Sequence, residues 1–550
     1  MSADKQLKKI KDDFSQRFFE LLPEVASTMG LHDPYDFQLS KGDMTNNFKI
    51  EKMLEESTRQ MKETIDYNAL NDWNKIDWHV FENFLEFWKF KLHEERQEER
   101  NPDGFGGIGQ AFFLMATRDY APLEKRVEAM IARIKQIPRF LKEFRTIFEG
   151  KQPVKLWTEM ALETAQTMPG LFQFIASFGK GQIPDNLQNQ LETVVTNLED
   201  PIKEHITWLQ ELLKSTTEEW RLGPELFERL IQLQGFGITS DEILEFGTQS
   251  LRELKKARTG IAAQIDPDKS VEEVLALIEK DSPATFDEML QKTRDTMEEA
   301  KQFVIDNDLA SVYEEDQLKV IETPSFMTTL IPVAGLLMPA IFDEVLIGEY
   351  VTTRPKNEKN LGKIWNYSYL RNTGVHEGYP GHFLHGSNIS KSLKAGMSSL
   401  IQLFSWMLTS RGSEVAEGWA HYCEEMMYEQ GFLSGPKEKM AQITGAILRA
   451  VRIIVDIRLS RKEMTFDEAV EMIMKETGFP KETAVGEVRW YSLSPSYPLS
   501  YLLGKHLILK LREEIKQKMG DQYSDKFFHD TVMTGGIIPV SLLRQVFNQK

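Results

Sequence analysis

The sequence predicts a mainly α-helical protein that carries one small β-sheet. Apolar residues recur every three or four positions through long charged segments, which is the periodicity of amphipathic helices. Runs rich in β-branched and aromatic residues are rare, and no linker rich in Gly, Pro or Ser separates parts of the chain. The 550 residues, of which 41% are apolar and 27% charged, suffice for several domain-sized units with a large core.

The helical periodicity is clearest in the first 304 residues. Four segments carry it, namely 123–148, 187–213 with a break at Pro201, 240–257, and 284–304. Ser240 precedes an acidic first turn, which predicts an N-cap. Thr285 followed by Glu288 predicts a capping box at the start of the last segment.

The strand signals lie just ahead of a histidine-rich stretch. Residues 344–355, EVLIGEYVTTRP, combine β-branched and aromatic residues and end in a turn signal. The preceding segment, 323–342, is uncharged over a length that could cross a bilayer, but three prolines interrupt it, so we expect a buried, partly extended segment. We therefore predict a helical N-terminal lobe over 1–320 and a catalytic lobe over 321–550, packed as one body.

The net charge disfavours several classes of partner, and the cysteine content excludes an internal disulfide. The net charge is 66 − 84 = −18, which disfavours nucleic acid and anionic membranes as partners because both need basic patches. The single cysteine, Cys423, excludes an internal disulfide. The first residues, MSADKQLKKIKDDFSQ, contain no apolar core of the kind found in secretory signals, so we expect a cytoplasmic protein.

Four of the ten histidines fall within 46 residues, namely His376, His382, His385 and His421. Imidazole is the commonest zinc ligand, and a carboxylate often joins two histidines in hydrolytic zinc sites. The stretch 376–385 reads HEGYPGHFLH, which begins like the zinc-peptidase motif HExxH. This clustering predicts a metal site.

The spacing within this stretch departs from HExxH. A spacing of four puts both imidazoles on one helical face, whereas His382 follows His376 by six positions and would be turned about 240° away on a regular helix. His385, at nine positions, would be about 180° away. A straight helix cannot build the site, but a bulge at Pro380 and Gly381 that absorbs two residues would return His382 to the metal.

The third ligand is expected on a later helix over 414–429, EVAEGWAHYCEEMMYE. Glu417, His421 and Glu424 follow one another at positions i, i+4 and i+7, which is one helical face. A carboxylate ligand with a supporting partner nearby on the same face is a common arrangement. The pattern leaves open whether Glu417 or Glu424 is the ligand, and a solvated acidic face is the alternative.

Several longer motifs point to a known family. The pattern HExxPGH is present as HEGYPGH and EGWAxYxE as EGWAHYCEE, and further blocks lie at 448–460, 465–478, 487–505 and 527–543, with weaker ones at 22–36 and 120–141. In these motifs the sequence resembles the bacterial domain-of-unknown-function family 885, which is grouped with gluzincin-type zinc metallopeptidases. The likeness covers nearly the whole chain in order.

The resemblance implies a site and an activity. It implies His376, His382 and Glu417 as ligands of one zinc ion per chain and Glu377 as general base. It also implies a large, two-lobed helical body with a deep cleft and a small sheet next to the active-site helix, like Taq carboxypeptidase and neurolysin-type peptidases. The expected activity is that of a zinc-dependent carboxypeptidase or oligopeptidase on short peptides.

Other residues of the blocks that resemble the family have candidate roles. A tetrahedral intermediate needs a donor for its oxyanion, for which we predict Tyr501, with Tyr497 as the alternative. Arg489 is predicted either to bind a substrate carboxylate or to pair with a structural acid. Arg452 and Asp456 are candidates for supporting the metal helices.

The sequence departs from the family pattern at several positions. His385 stands where the family usually has glutamine, which makes it either an additional supporting group or a packed side chain. Arg458 and Ser460 replace a glycine and a histidine, and 496–498 reads SYP in place of GQA. These changes bear on substrate specificity, so two alternatives stay open: a metallohydrolase of a non-peptide amide, and a catalytically inactive metal- or peptide-binding protein. The sequence does not predict an oligomeric state.

Overall fold

The computed structural model describes residues 2–324, 327–328, 331, 333–355, 357–358 and 361–549. They are mainly helical and include one three-stranded sheet, which confirms the predicted fold class at this level. The chain forms two compact units. The first contains Met1–Trp220, Pro324–Leu330 and Ala340–Glu344, and the second contains Arg221–Thr323, Ile331–Pro339 and Val345–Lys550.

The first unit is helical. Its described residues form ten α-helices, which are α1 (Ala3–Leu21), α2 (Pro23–Thr28), α3 (Thr45–Thr64), α4 (Asp72–Phe90), α5 (Gly106–Thr117), α6 (Leu123–Ile134), α7 (Ile137–Thr146), α8 (Lys155–Phe178), α9 (Asp185–Thr196) and α10 (Glu199–Leu212). The predicted helix over 123–148 is two helices. The predicted break at Pro201 lies earlier, between α9 and α10, because proline is tolerated in the first turn of a helix and Pro201 occupies that turn of α10.

The second unit carries the remaining helices and the sheet. Its described elements are α11 (Pro224–Gln234), α12 (Ser240–Ile265), α13 (Val271–Glu279), α14 (Phe286–Asp306), β1 (Gln317–Glu322), β2 (Ala334–Leu337), β3 (Ile347–Thr352), α15 (Leu361–Ile364), α16 (Tyr367–Glu377), α17 (His382–Lys394), α18 (Leu400–Thr409), α19 (Ser413–Glu429), α20 (Pro436–Ser460), α21 (Phe466–Thr477), α22 (Lys481–Leu493), α23 (Ser500–Met519), α24 (Asp525–Thr534) and α25 (Val540–Phe547).

The boundary between the units lies about 100 residues before the predicted division at residue 320. The reason is packing, since α12 lies along α20 and α14 lies along α16, so these helices belong to the unit of the histidine cluster. The cap of α12 also differs from the prediction. Thr239, not Ser240, is the N-cap and forms a capping box with Glu242. Thr285 caps α14 as predicted by accepting the backbone N–H of Glu288.

The sheet has the strand order β1-β3-β2, with β1 parallel and β2 antiparallel to β3. The predicted strand at 344–355 is confirmed as β3. The predicted extended segment 323–342 contains β2, although its residues 325, 326, 329, 330 and 332 lie outside the described residues. No helix in the described part of the chain is long and apolar enough to cross a membrane. Gly348 of β3 lies against the ring of Phe383 in α17, so the sheet adjoins the helix that begins at His382.

Two glycines allow the closest helix packing of the second unit. A Cβ atom on Gly418 of α19 would lie 2.4 Å from the backbone of Gly504 in α23. A Cβ atom on Gly504 would lie 2.0 Å from the carbonyl oxygen of Glu414. Any larger residue at either position would force the helices apart, and this packing brings the motif EGWA beside the start of α23.

Candidate metal centre

The two histidines of HEGYPGH lie on different helices. α16 ends at Glu377 and α17 begins at His382, so the expected bulge within one helix is wrong. The chain leaves the helix at Gly378 and returns through a cis Tyr379–Pro380 peptide bond. An interruption of the helix, not an inserted bulge, thus accommodates the spacing of six.

The turn between the helices depends on Gly381. Its backbone N–H donates to the carbonyl of Val375 at 3.1 Å, and a Cβ atom here would lie 1.8 Å from the carbonyl oxygen of His376. Only glycine can approach the end of α16 this closely. The imidazole rings of His376 and His382 consequently lie 4.9 Å apart, centroid to centroid, at an interplanar angle of 86°.

Glu417 of α19 completes a group of three potential ligands. Its Oε2 lies 3.2 Å from Nε2 of His382 and 4.0 Å from Nε2 of His376. One ligand atom from each residue lies within 4.8 Å of the other two, and the described residues contain no second group of three or more such side chains. The three side chains are only 7%, 16% and 8% exposed for His376, His382 and Glu417. The predicted ligands are therefore brought together in a buried site.

The donor atoms fit a zinc ion. In a tetrahedral site, two ligand atoms at about 2.0–2.2 Å from zinc lie about 3.4 Å apart. The distance of 3.2 Å from Glu417 to His382 matches this, and the 4.0 Å from Glu417 to His376 would shorten on binding. Oε2 of Glu417 is buried and faces the imidazoles of His382 and His376, whereas Oε1 accepts a hydrogen bond from the Tyr497 hydroxyl. A buried carboxylate needs a compensating positive charge, which a metal cation at this position would supply.

Without a metal, the site holds a proton. Burial lowers the pKa of His382, but the charge and hydrogen bond of Glu417, together with the charge of Glu377, outweigh it and raise that pKa to about 8. Burial likewise raises the pKa of Glu417, but the charge and hydrogen bond of His382, the charge of His376 and the hydrogen bond of Tyr497 together lower it to about 2. At neutral pH the metal-free site therefore contains a protonated imidazole beside a carboxylate, and a metal cation would replace that proton.

Glu424, two turns further along α19, supports His376 and is not a ligand in this arrangement. Its Oε1 accepts a hydrogen bond from Nδ1 of His376 at 2.7 Å and lies 3.5 Å from Nη2 of Arg449, while Oε2 accepts one from Asn372 at 2.8 Å. Because Nδ1 of His376 donates to Glu424, its Nε2 carries the lone pair and faces the site. Of the two open choices, the geometry favours Glu417 as ligand and Glu424 as supporting group.

His421 and His385 are packed beside this centre. Nδ1 of His421 lies 3.4 Å from Oε1 of Glu424, and burial lowers the pKa of His421 to about 4. His385 lies 6.0 Å from the ring of Trp419, centroid to centroid, and burial lowers its pKa to about 3. Both are therefore neutral imidazoles outside the group of three ligand atoms.

Glu377 is half-buried at the end of α16, directly after His376. Its carboxylate makes no hydrogen bond or ion pair within the described residues, yet it lies near enough to contribute to the raised pKa values of His382 and, after burial, of Tyr350. Within the described residues, no hydrogen bond or ion pair thus occupies the carboxylate of the predicted general base.

The two predicted tyrosines, Tyr497 and Tyr501, also adjoin the site. The hydroxyl of Tyr497 donates to Glu417, and the ring of Tyr501 contacts that of Tyr497 at 6.1 Å. The Tyr501 hydroxyl makes no hydrogen bond in the part of the chain that the structure describes. Tyr497, the alternative in the sequence analysis, is therefore the tyrosine that touches a ligand, while Tyr501 has the free hydroxyl.

The remaining predicted residues, Arg452, Asp456 and Arg489, lie near the tyrosines or near their neighbours in the chain. Arg452 is paired with Glu487 through two hydrogen bonds of 3.0 and 3.1 Å. Asp456 is buried, which raises its pKa to about 8, and it accepts a hydrogen bond from the backbone N–H of Ser496 at 3.3 Å. It thereby supports the segment that presents Tyr497. Arg489 is half-buried on α22 next to Trp490.

Sequence reasoning missed the residue that ties the two motifs together. The indole N–H of Trp419, in EGWA, donates to the carbonyl of Pro380, in HEGYPGH, at 2.9 Å, and both residues are buried. The co-occurrence of the two motifs was the available signal, but no pattern in either reveals a contact between them. Asn372 and Arg449, which contact Glu424, were also missed, although Arg449 lies in the block 448–460.

The chain belongs to the family described as bacterial protein of unknown function (DUF885), which it matches over residues 23–547. The family resemblance is thereby confirmed, while the gluzincin grouping stays a prediction. The fold is similar to that of a candidate lipoprotein from Colwellia psychrerythraea, with a TM-score of 0.83, 18% identity and coverage of 100% of this chain and 99% of the other. It is also similar to a candidate lipoprotein of unknown function from Shewanella oneidensis, with a TM-score of 0.76, 22% identity and coverage of 98% and 99%. No curated protein matches the chain.

Proposed function

We propose that the protein is a zinc-dependent peptidase that cleaves short peptides. The observation that supports this most is the buried group of His376, His382 and Glu417, in which Oε2 of Glu417 faces both imidazoles and the carboxylate of Glu377 lies nearby. A purely structural zinc site has four protein ligands, whereas three ligands next to an unpaired carboxylate are typical of hydrolytic sites. The likeness to gluzincins, Taq carboxypeptidase and neurolysin-type peptidases belongs to the same proposal.

The residues divide the chemistry among themselves. Bound zinc would supply a Lewis acid that makes water acidic and polarises an amide carbonyl. Glu377 would accept the proton of the attacking water and return it to the leaving amine. The Tyr501 hydroxyl would donate a hydrogen bond to the carbonyl oxygen as it becomes negative. Glu424 holds the proton on Nδ1 of His376 and so keeps the opposite nitrogen available to the metal.

The first test is the metal content of the purified protein. We expect about one zinc ion per chain by plasma mass spectrometry, and none in the His376→Ala/His382→Ala double variant. Failure of both proteins to bind zinc, even after zinc is added, would refute the proposal.

Activity is tested with Glu377→Gln on a peptide library. The variant should keep its zinc and lose roughly 10²–10⁴-fold in rate, which is the usual contribution of a general base. Glu471→Gln, a change of the same kind at an exposed position of α21, is the control and should behave as wild type. Cleavage of non-peptide amides alone would indicate a different hydrolase, and zinc binding without any hydrolysis would indicate a binding protein.

We propose the cytoplasm as the location and short peptides as the partners. The net charge of −18 and the single buried Cys423 support this. The names of the two structural neighbours favour an envelope location instead. Fractionation of the host cell, followed by detection of the chain, distinguishes the two locations.

A further inference from the structure

Three aromatic rings form a continuous wall beside the metal centre. Trp490 of α22 contacts Tyr497 with a centroid distance of 5.7 Å at 70°, and Tyr497 contacts Tyr501 of α23 at 6.1 Å, also at 70°. All three side chains are half-buried and so keep part of their surface accessible. We call these three residues the aromatic wall.

The aromatic wall begins at a ligand of the proposed metal. The Tyr497 hydroxyl donates to Oε1 of Glu417, whose other oxygen faces His382. Tyr501 stands on the same side and feels the charge of Glu417, since burial and then that charge raise its pKa. A substrate whose amide lies at the triad would therefore have an adjacent side chain against these rings.

Arg452, which contacts two rings of the aromatic wall, is already paired with an acidic residue. The guanidinium of Arg452 lies over the rings of Trp490 at 5.2 Å and Tyr501 at 4.7 Å. Its Nε and Nη2 donate to the two oxygens of Glu487 at 3.0 and 3.1 Å, and its Nε also donates to the Tyr491 hydroxyl at 3.3 Å. This arginine stiffens the wall and is not available to bind a substrate carboxylate in a bidentate manner.

The arginines near the aromatic wall already have partners. Arg452 is paired with Glu487, and Arg489, next to Trp490, is not free either. A third arginine, Arg449, lies 3.5 Å from Glu424 and donates to the carbonyl of Gly445 at 3.1 Å. Recognition of a C-terminal carboxylate requires an uncompensated cation, whereas flat apolar groups are recognised by ring faces.

We propose that the aromatic wall is the specificity pocket of the site, and that it takes a peptide with an aromatic side chain next to the scissile amide and does not require a free C-terminal carboxylate. The inference rests on the proposed function of the same site. It selects an oligopeptidase over a carboxypeptidase and assigns Trp490 as the specificity-determining residue.

The first experiment measures binding to the full-length protein without metal. Fluorescent acetylated peptides of equal length carry one central Phe or one central Glu, with a C-terminal amide, and the Phe peptide is also made as the free acid. We expect the Phe amide to bind at least tenfold more tightly than the Glu amide, and the Phe acid and amide to bind within threefold of each other. The same ratios are expected for cleavage by the zinc-loaded protein.

Two variants of Trp490 test the pocket itself. Trp490→Leu should reduce the preference for Phe to threefold or less, while Trp490→Phe, which keeps a ring, should retain most of it. Zinc content and circular dichroism of both variants exclude a folding defect. Equal or undetectable binding of the two wild-type amides, an acid bound tenfold more tightly than its amide, or a preference unchanged in Trp490→Leu would each overturn the inference.

The experiments distinguish a failure of the specificity pocket from a failure of the proposed function. A protein that holds zinc and cleaves peptides without an aromatic preference keeps the proposed function and loses only the specificity pocket. A protein that prefers the Phe peptide but neither holds zinc nor cleaves it keeps the pocket and loses the proposed function.

Discussion

Glu417 and Glu424 lie two turns apart on α19, and both carboxylates are buried and ionised. The difference lies in what holds each charge. Glu417 faces the protonated imidazole of His382 through Oε2, at 3.2 Å from Nε2. The proton on that imidazole can leave at moderate pH, so the partner of Glu417 is exchangeable.

Glu424 has partners that do not change. It lies 3.5 Å from a guanidinium, that of Arg449, and accepts hydrogen bonds from the amide of Asn372 and from Nδ1 of His376. Both oxygens of Glu424 are thus engaged by neighbouring side chains. The same helix thus carries one carboxylate prepared for an incoming cation and one that fixes the ligand next to it.

The strongest test of this comparison is Glu417→Gln. We expect zinc affinity, measured by competition with a fluorescent chelator, to fall roughly a thousandfold. Structural sites with four ligands bind zinc by about 10–16 kcal/mol, so that one ligand contributes about 3–4 kcal/mol. Glu471→Gln should leave the affinity unchanged. Wild-type affinity in Glu417→Gln would mean that the ion is held elsewhere, with Glu424 as the next candidate.

The matched change, Glu424→Gln, should act mainly on stability. It leaves the buried Arg449 without its counter-charge, and breaking a buried pair in this way costs about 3–5 kcal/mol. The free energy of unfolding, measured by urea denaturation without metal, should fall by that amount throughout pH 6–9. Zinc affinity should fall about 10–100-fold, as is usual for a group that orients a ligand. A variant with unchanged stability would show that Glu424 is not the fixed member of the pair.

The pH dependence separates the two carboxylates further. The folded pKa of His382, about 8, lies above its ordinary value of 6.5. A raised pKa stabilises the fold below pH 6.5, and this contribution is lost as the pH rises through 8. The metal-free protein should therefore lose up to about 2 kcal/mol of stability between pH 6.5 and 9, at about 1.4 kcal/mol per unit of pKa shift.

Zinc reverses the sign of this dependence. Because a ligand imidazole must be neutral, zinc affinity should rise about tenfold per pH unit over the same window and level off above pH 8. Urea denaturation with a chelator and zinc titration at matched pH values measure the two slopes. Glu417→Gln removes the partner that raises the pKa, so its metal-free stability should be nearly flat. A stability that rises with pH in wild type would contradict the proposed ion pair.

The sequence predicted which side chains meet at the candidate site better than it predicted their geometry. The helical periodicity, β3 and the group of His376, His382 and Glu417 could all be read from local patterns or motifs. The change of helix at Gly381 could not, because a Pro-Gly pair is compatible with both a bulge and a turn. The unit boundary at residue 220 could not be predicted either, because it depends on the packing of α12 and α14 against helices that are distant in the sequence.

Trp419 illustrates the same limit, because its role depends on a contact between two motifs. Its indole N–H is the hydrogen-bond donor to the Pro380 carbonyl, and the turn that carries this carbonyl sets the position of His382. Trp419→Phe keeps a ring and removes the donor, so we expect a loss of about 1 kcal/mol of stability. If the bond positions the turn, zinc affinity should also fall several-fold.

The matched control is Trp365→Phe, which changes a buried tryptophan in the cluster around Phe286 and Leu370. It should also lower stability, through lost apolar contact, but leave zinc affinity unchanged. Urea denaturation and zinc competition on both variants therefore distinguish a general packing loss from a positioning effect. If both variants changed zinc affinity equally, Trp419 would act only through core packing. The hydrogen bond between EGWA and HEGYPGH would then not position the turn.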